Sequence, residues 1–344
     1  MNGEAGRGSV YLETYLAPFA PWLNRADVTD ILVNRPGEVW VERLGGQLER
    51  HDAPELSEQS LARLAQQIAS ASHQGLNREH PLLSATLPSG ERVQICAPPA
   101  TRAHLALAIR KHVVQDLTLE DYARAGALAD VRQDAAEGAQ AQDLALQQIL
   151  ADGNVAGFLR EAVVRRKTIL VSGGTSTGKT TMLNALLKEA PATERLVVIE
   201  DAPEVQLTHP NAVGLVAVRG DIGESRVTAE DLLQAALRLR PDRIILGELR
   251  GREAFAFLRA VNTGHPGSIT TVHADSPAGA INQIALLVLQ SGLNLRWEDI
   301  RAYVRGAVDI IVQLERRAGK RVASRIYFDP QRRRADALAG AAHD

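Results

Sequence analysis

The stretch that decides the fold is Gly173-Gly-Thr-Ser-Thr-Gly178-Lys179-Thr180, which fits the phosphate-loop pattern G-x-x-x-x-G-K-[ST] at every position. An apolar run at 168–171 precedes it, and a helical pattern at 181–188 follows it. The pattern requires this context, because the loop must lie between a buried strand and a helix N-terminus. A glycine-rich turn without a ligand is the weaker alternative. The sequence therefore predicts a P-loop nucleotide-binding domain.

The residue types of this loop explain its chemistry. Glycines let backbone N–H groups turn inward around an anion, and the helix N-terminus adds a partial positive charge. We expect Lys179 to reach the β- and γ-phosphates and the Thr180 hydroxyl to ligate Mg²⁺. ATP and Mg²⁺ are thus the predicted ligands. The candidate binding residues are Gly173, Gly174, Thr175, Ser176, Thr177, Gly178, Lys179, Thr180 and Thr181.

The sequence on both sides of the loop predicts an α/β protein with two domains. From about residue 144, apolar runs alternate with amphipathic helices, a pattern typical of a parallel sheet covered on both faces. We predict a smaller α/β domain at 1–118, a linker at 119–143 that has little to bury, and a nucleotide-binding domain at 144–344. Strands are predicted at 30–34, 38–42, 81–88, 92–97, 104–110, 168–171, 196–199, 244–246 and 269–272, a helix at 57–72 and a hairpin at 308–328.

The composition is that of a globular protein, with 45% hydrophobic and 23% charged residues among 344. A net charge of -2 and 4% aromatic residues give no reason to expect sequence-specific nucleic-acid binding. The single cysteine, Cys96, excludes an intrachain disulfide framework and indicates a reducing, cytoplasmic setting. We find no signal peptide and no apolar run of the roughly 20 residues that span a bilayer. Any membrane association is therefore expected to be peripheral.

Two acidic positions follow apolar runs, where a parallel sheet presents its ligand crevice. Glu200 and Asp201 follow the run at 196–199, and Glu248 closes the run that contains 244–246. We assign Glu248 a metal-side or catalytic role and Glu200 the activation of water, although the two roles could be exchanged. Both could instead be exposed helix caps. A common P-loop pattern has Asp directly before the second acid, but this chain has Gly247 there.

His273 and three arginines complete the candidate site. His273 ends the run at 269–272 and is a candidate sensor of the γ-phosphate, with a helix cap as the structural alternative. Arg238, Arg240 and Arg250 flank the second acidic position. One or more of them is a candidate arginine finger, in its own subunit or across a subunit boundary, and a solvated arginine is the alternative for each.

Four sequence blocks, taken in this order, resemble the secretion-ATPase superfamily of traffic motors. They are SGGTSTGKTT, VIEDAPEV, LRLRPDRIILGELRGREA and GHPGSITTVHADSP, which are similar to its Walker A, Asp box, Walker B and His box. The stretches VTDILVNRPGEVWVER and LLSATLPSGERVQICAPP are similar to the conjugal-transfer ATPases of type IV secretion systems, the TrbB type. The resemblance covers most of residues 25–315.

The resemblance implies an ATPase with a RecA-like C-terminal domain and a PAS-like N-terminal domain, assembled as a homohexameric ring. It implies docking to secretion-machinery proteins at the cytoplasmic face of the inner membrane. ATP hydrolysis would move the two domains against each other and drive pilus assembly or substrate passage. It also implies that arginines of the N-terminal domain contact nucleotide, with Arg92, Arg102 and Arg110 as the candidates here.

Three other functions are considered. A pilus-assembly ATPase of the Flp or type IV pilus kind has similar blocks, although the single cysteine excludes the version with a four-cysteine zinc module. A hexameric DNA translocase would use the same core but needs a basic stripe with aromatics, which we do not find. A scaffold that binds nucleotide without hydrolysing it is disfavoured by Lys179, Thr180 and Glu248, and an ATPase assay distinguishes it.

Overall fold

The computed structural model describes residues 11–111, 118–124, 126, 136–218, 224–292 and 295–331. The middle of the predicted linker and the C-terminal end, 332–344, lie outside the described residues. Within them the chain forms two β-sheets, one in each half, with helices against both. The prediction of an α/β protein is confirmed.

The secondary structure elements follow the chain in this order. The strands are β1 Val28–Val33, β2 Gly37–Arg43, β3 Leu48–Ala53, β4 Leu82–Thr86, β5 Arg92–Cys96, β6 Ala106–Arg110, β7 Ile169–Gly173, β8 Leu196–Glu200, β9 Ala212–Val216, β10 Arg243–Leu246, β11 Ile269–Val272, β12 Ile310–Arg317 and β13 Lys320–Phe328. A short 3₁₀ helix, Ala17–Phe19, precedes the α-helices. These are α1 Ala20–Leu23, α2 Glu58–Ala71, α3 Leu119–Arg124, α4 Ala136–Ala151, α5 Val155–Val164, α6 Lys179–Leu187, α7 Ala229–Ala236, α8 Glu253–Asn262, α9 Pro277–Leu289 and α10 Trp297–Ala307.

The N-terminal sheet separates two apolar cores. It is antiparallel, with strand order β3-β2-β1-β6-β5-β4. Because side chains alternate between the faces of a strand, Ile31 and Val33 pack in the same core as helix α2, whereas Leu32 packs against the C-terminal half. Helix α2 begins after Ser57, whose hydroxyl caps it by accepting the N–H of Ser60 at 3.1 Å.

Polar contacts join the two halves around their shared apolar core. Asn34 donates to the side chain of Asn211 at 2.8 Å, and Arg240 forms an ion pair with Glu42 of β2. The two halves of the chain are therefore in direct contact with each other.

The C-terminal sheet has the order β13-β12-β7-β11-β10-β8-β9, and every neighbouring pair is parallel except β12 and β13. Leu170 packs on one face, while Ile169 and Val171 pack on the other. Apolar cores with helices lie on both faces, which explains why these strands are continuously apolar in sequence. The carboxyl ends of β7, β8, β10 and β11 lie along one edge of the sheet, where such folds place ligands.

The structure contains elements that were not predicted from the sequence, among them the edge strand β9 of the C-terminal sheet and the short helices at 17–23. Strand β3, with the sequence LERHDA, was not predicted, because most of its residues are polar; it pairs only with β2 at the sheet edge, where charged residues are tolerated. Helices α3 and α4 lie wholly or partly within the predicted linker, and Leu146 of α4 is buried in the C-terminal core.

No helix in the described part of the chain has the length and apolar character that a membrane span requires.

Candidate active site

The candidate residues meet at the carboxyl edge of the parallel sheet. The phosphate loop follows β7, Glu200 ends β8, Glu248 follows β10 and His273 follows β11. The four strands are neighbours in the order β7-β11-β10-β8, so these side chains surround one crevice.

The loop after β7 has the geometry of a phosphate cradle. Gly178 caps α6 with φ +93°, a left-handed conformation that glycine adopts without strain, and Ser176 has φ +60°. Gly173 must be glycine because a Cβ there would lie 2.9 Å from the carbonyl oxygen of Leu314. The loop therefore fits closely between β12 and the start of α6.

Lys179 lies buried inside this loop. Its Nζ donates to the carbonyl oxygens of Gly173 at 3.0 Å and Gly174 at 3.1 Å, and it lies 3.3 Å from Nε2 of His273. Burial lowers the pKa of Lys179 below its usual value, while the nearby Glu248 acts in the opposite direction. A phosphate would replace the two neutral carbonyls by a charged acceptor, which a buried ammonium group favours.

Glu248 lies between a histidine and an arginine. Its Oε1 is 2.9 Å from Nε2 of His273, and its Oε2 forms an ion pair with Arg250. The hydrogen bond to Glu248 raises the pKa of Arg250, whose guanidinium also lies 3.8 Å from Asp201. These contacts hold the carboxylate beside the lysine of the phosphate loop.

Glu200 is more enclosed than Glu248, and one of its contacts comes from the N-terminal half of the chain. One oxygen accepts the backbone N–H groups of Glu204 at 3.0 Å and Val205 at 2.8 Å. The other forms an ion pair with Arg102 of the N-terminal half. Only 4% of the Glu200 side chain is exposed, compared with 13% for Glu248. In this conformation Glu248 is therefore the better placed of the two to contact a water molecule at the nucleotide.

Two further charged residues, Glu204 and Arg321, line the crevice without having been assigned a role from sequence. Glu204 accepts the Thr180 hydroxyl at 3.0 Å, on the side of the loop where Mg²⁺ is expected. Glu204 lies within the second sequence block, but it does not directly follow an apolar run, so the pattern that selected Glu200 and Glu248 did not select it. Arg321 of β13 extends over Gly178, where a Cβ would lie 3.1 Å from its Cδ. Only the folded hairpin brings Arg321 to the loop.

The other arginines lie elsewhere. Arg238 is exposed after α7, and Arg240 is paired with Glu42. Arg110 pairs with Asp30 on the N-terminal sheet, and Arg92 is its exposed neighbour across the strands. None of these four lines the crevice in this chain. Among the arginines proposed from sequence, Arg250 lines it and Arg102 contacts one of its carboxylates.

The crevice fits a nucleotide with a divalent cation. It has a volume of about 520 Å³, with residues 175–181 on one side and Glu200, Asp201, Glu204 and Glu248 on the other. One hydroxyl, Thr180, and the nearby carboxylates form a set of hard oxygen donors. Mg²⁺ in such sites is held by a few protein oxygens together with phosphate oxygens and waters. Among the described residues, no group of three His, Cys, Asp or Glu side chains is arranged as a metal cage.

Comparison with known proteins identifies the family. Residues 13–337 match the family described as "Type II/IV secretion system protein". VirB11 of Bartonella henselae, a type IV secretion system protein, is 38% identical over 334 residues, covering 93% of this chain and 94% of that protein. The PtlH homolog of Bordetella bronchiseptica, also a type IV secretion system protein, is 39% identical over 338 residues, covering 95% and 96%.

The structural comparison agrees with the sequence comparison. The crystal structure of the VirB11 ATPase from the Brucella suis type IV secretion system, in complex with sulphate, matches with a TM-score of 0.90 and 37% sequence identity. The match covers 98% of this chain and all of that chain. The resemblance inferred from the four sequence blocks is confirmed. The chain belongs to the type II/IV secretion system protein family and is a type IV secretion ATPase that hydrolyses ATP.

Proposed function

We propose that ATP is hydrolysed in the crevice at the carboxyl edge of the C-terminal sheet, with Glu248 as the residue that activates the attacking water. The observation that carries this proposal is the contact of Glu248 with His273 at 2.9 Å, next to Lys179. A carboxylate in this position can orient a water molecule and accept its proton. His273 contacts both Glu248 and Lys179 and is placed to register the γ-phosphate.

The remaining residues of the site have roles in binding. Lys179 and the backbone N–H groups of 173–181 hold the phosphates, and Arg250 positions Glu248 through their ion pair. Thr180 holds Mg²⁺, with Glu204 and Glu248 as the nearby carboxylates. Mg²⁺, when bound, neutralises charge on the β- and γ-phosphates.

The finer architecture is proposed from the same family membership. The C-terminal domain is RecA-like and the N-terminal domain PAS-like, and the chain forms a homohexameric ring. The ring lies at the cytoplasmic face of the inner membrane and transmits work to secretion-machinery proteins, for pilus assembly or for substrate passage. The openness of the crevice supports a ring, since Arg250 and His273 are 46% and 45% exposed and could be covered by a neighbouring subunit.

The ring is tested by measuring ATP hydrolysis per chain against protein concentration, with mass determined by light scattering on the same samples. We expect activity per chain to rise cooperatively as the hexamer forms, because a neighbouring subunit completes each crevice. Full activity in a monomer would contradict the ring and leave the nucleotide site unaffected.

Arg321 provides a separate prediction about nucleotide binding. No carboxylate in the described part of the chain pairs with it, so its charge is available to a phosphate. We expect Arg321→Gln to weaken ADP binding about tenfold, the effect of one charge-assisted contact.

The matched control for this prediction is Arg325→Gln, an exposed arginine on the same strand that does not line the crevice. Calorimetric titration with ADP and with adenosine separates a contact to phosphate from stacking on the base. An equal loss for both ligands, or no loss in Arg321→Gln, would contradict the phosphate contact.

A further inference from the structure

The loop at residues 100–102 of the N-terminal domain extends the edge of the C-terminal sheet. Arg102 donates its backbone N–H to the carbonyl oxygen of Gly214 at 3.1 Å, and Val216 donates to the carbonyl oxygen of Ala100 at 2.9 Å. Thr101 forms an antiparallel bridge with Leu215 of β9. This pairing fixes the Arg102 backbone relative to β9, and hence relative to the neighbouring strand β8.

The Arg102 side chain continues from β9 toward β8. It passes over Gly214, where a Cβ would lie 2.6 Å from its Cδ, so a side chain at position 214 would displace Arg102. Its Nη1 donates to the carbonyl oxygen of Val205 at 2.7 Å, and its Nη2 forms the ion pair with Glu200. The two side chains are only 18% and 4% exposed.

This ion pair differs from a surface ion pair in what its loss would cost. The Arg102 side chain is largely withdrawn from solvent, and this burial lowers the pKa of its guanidinium. Removing one partner of such a pair leaves the other charge buried without compensation, which is strongly unfavourable. Glu200 and Arg102 therefore hold each other in place.

The contacts of Glu200 lead on to the nucleotide crevice. Its second oxygen binds the backbone N–H groups of Glu204 and Val205, and the Glu204 carboxylate accepts the Thr180 hydroxyl. A continuous set of hydrogen bonds thus runs from the N-terminal domain through Arg102, Glu200 and Glu204 to Thr180.

We propose that Arg102 is a positioning residue which, through Glu200, holds the loop at 201–205 so that Glu204 faces the metal side of the phosphate loop. It acts from the N-terminal domain of the same chain and does not itself contact nucleotide in this arrangement. A movement of the N-terminal domain changes the position of Glu204, and occupation of the metal side in turn favours one position of that domain, because coupling between sites is reciprocal. The inference rests on the proposed nucleotide and metal site for its functional consequence.

The structural part is tested by amide hydrogen exchange in nucleotide-free protein, with Arg102→Gln compared with wild type. We expect exchange of the Glu204 and Val205 amides to accelerate at least about tenfold, because their shared acceptor loses its charge-assisted anchor. The control is Arg78→Gln, which breaks the exposed ion pair of Arg78 with Glu224 between the same two halves of the chain. Unchanged protection in folded Arg102→Gln, or equal acceleration in the control, overturns the proposal.

The functional part is tested by nucleotide affinity at varied Mg²⁺. We expect Arg102→Gln to raise the Mg²⁺ concentration for half-maximal tight ATP binding at least about threefold. Binding in excess chelator should stay within about twofold of wild type, because the phosphate loop is intact. Equal losses with and without Mg²⁺ would indicate a general structural role and overturn the proposal.

A second set of variants keeps the test decisive if Arg102→Gln does not fold. Arg102→Lys retains the charge but cannot bind Glu200 and Val205 together, so we expect intermediate exchange and Mg²⁺ dependence. Wild-type behaviour of folded Arg102→Lys in both measurements overturns the proposal.

The double variant Arg102→Gln/Glu200→Gln should show amide exchange and a Mg²⁺ requirement no more altered than those of the more affected single variant. Additive losses would show that Arg102 does not act through Glu200. Altered exchange without altered Mg²⁺ dependence rejects Arg102's effect on the metal side, whereas absence of ATP binding in wild type rejects the proposed site.

Discussion

Lys179→Ala is expected to weaken ATP binding at least about 100-fold and to abolish measurable hydrolysis, because a buried, charge-assisted contact to phosphate is lost. The ammonium group is enclosed by the carbonyl oxygens of Gly173 and Gly174 and by His273, so no other described cation occupies its place within the loop. Arg321 lies over the outside of the loop and cannot substitute for it. Direct binding of a fluorescent ATP analogue and phosphate release measure the two effects.

The matched control for this variant is Lys188→Ala, an exposed lysine at the other end of the same helix. It should bind and hydrolyse ATP as wild type does. Near-normal turnover in folded Lys179→Ala would show that ATP is bound elsewhere. Thermal unfolding of both variants checks that any loss is local, since the lysine contacts mainly its own loop.

The sequence predicted those parts of the site that depend on residues close together in the chain. A strand, a glycine-rich turn and a helix are contiguous in sequence, and acids at the ends of apolar runs follow from the rule that parallel strands share one carboxyl edge. The helix predicted at 57–72 was recognisable for the same reason, and the structure has it at Glu58–Ala71. Lys179, Glu200, Glu248 and His273 do line one crevice.

The contacts that could not be predicted depend on tertiary structure. Arg102 reaches Glu200 across 98 positions in the sequence, and Arg321 reaches the loop through a hairpin that joins the far edge of the sheet. The resemblance made Arg102 one of three candidates for a contact with nucleotide, but periodicity cannot reveal that a carboxylate is its partner. Strand β3 was missed because an edge strand needs few apolar residues.

Glu248→Gln should separate binding from chemistry. The substitution keeps the size of the side chain and a carbonyl oxygen for Arg250, but it removes the negative charge that can accept a proton from water. We expect hydrolysis to fall by about 10²- to 10³-fold. ATP affinity should remain within about threefold of wild type, because the phosphate loop is unchanged. Single-turnover phosphate release and equilibrium binding give the two quantities.

Comparison with Glu200→Gln resolves which carboxylate activates water, because the two groups differ in their surroundings. Glu200 is bound by Arg102 and two backbone N–H groups, so its neutralisation should alter the 201–205 loop and the Mg²⁺ requirement more than the rate at saturating Mg²⁺. Glu298→Gln, on the exposed first turn of α10, is the control for loss of a surface charge.

A different outcome would exchange the two roles: Glu248→Gln would hydrolyse ATP at the wild-type rate, while Glu200→Gln would bind ATP without hydrolysing it. Glu248 with His273 would then form the sensing pair, and Arg102 would hold the catalytic carboxylate itself.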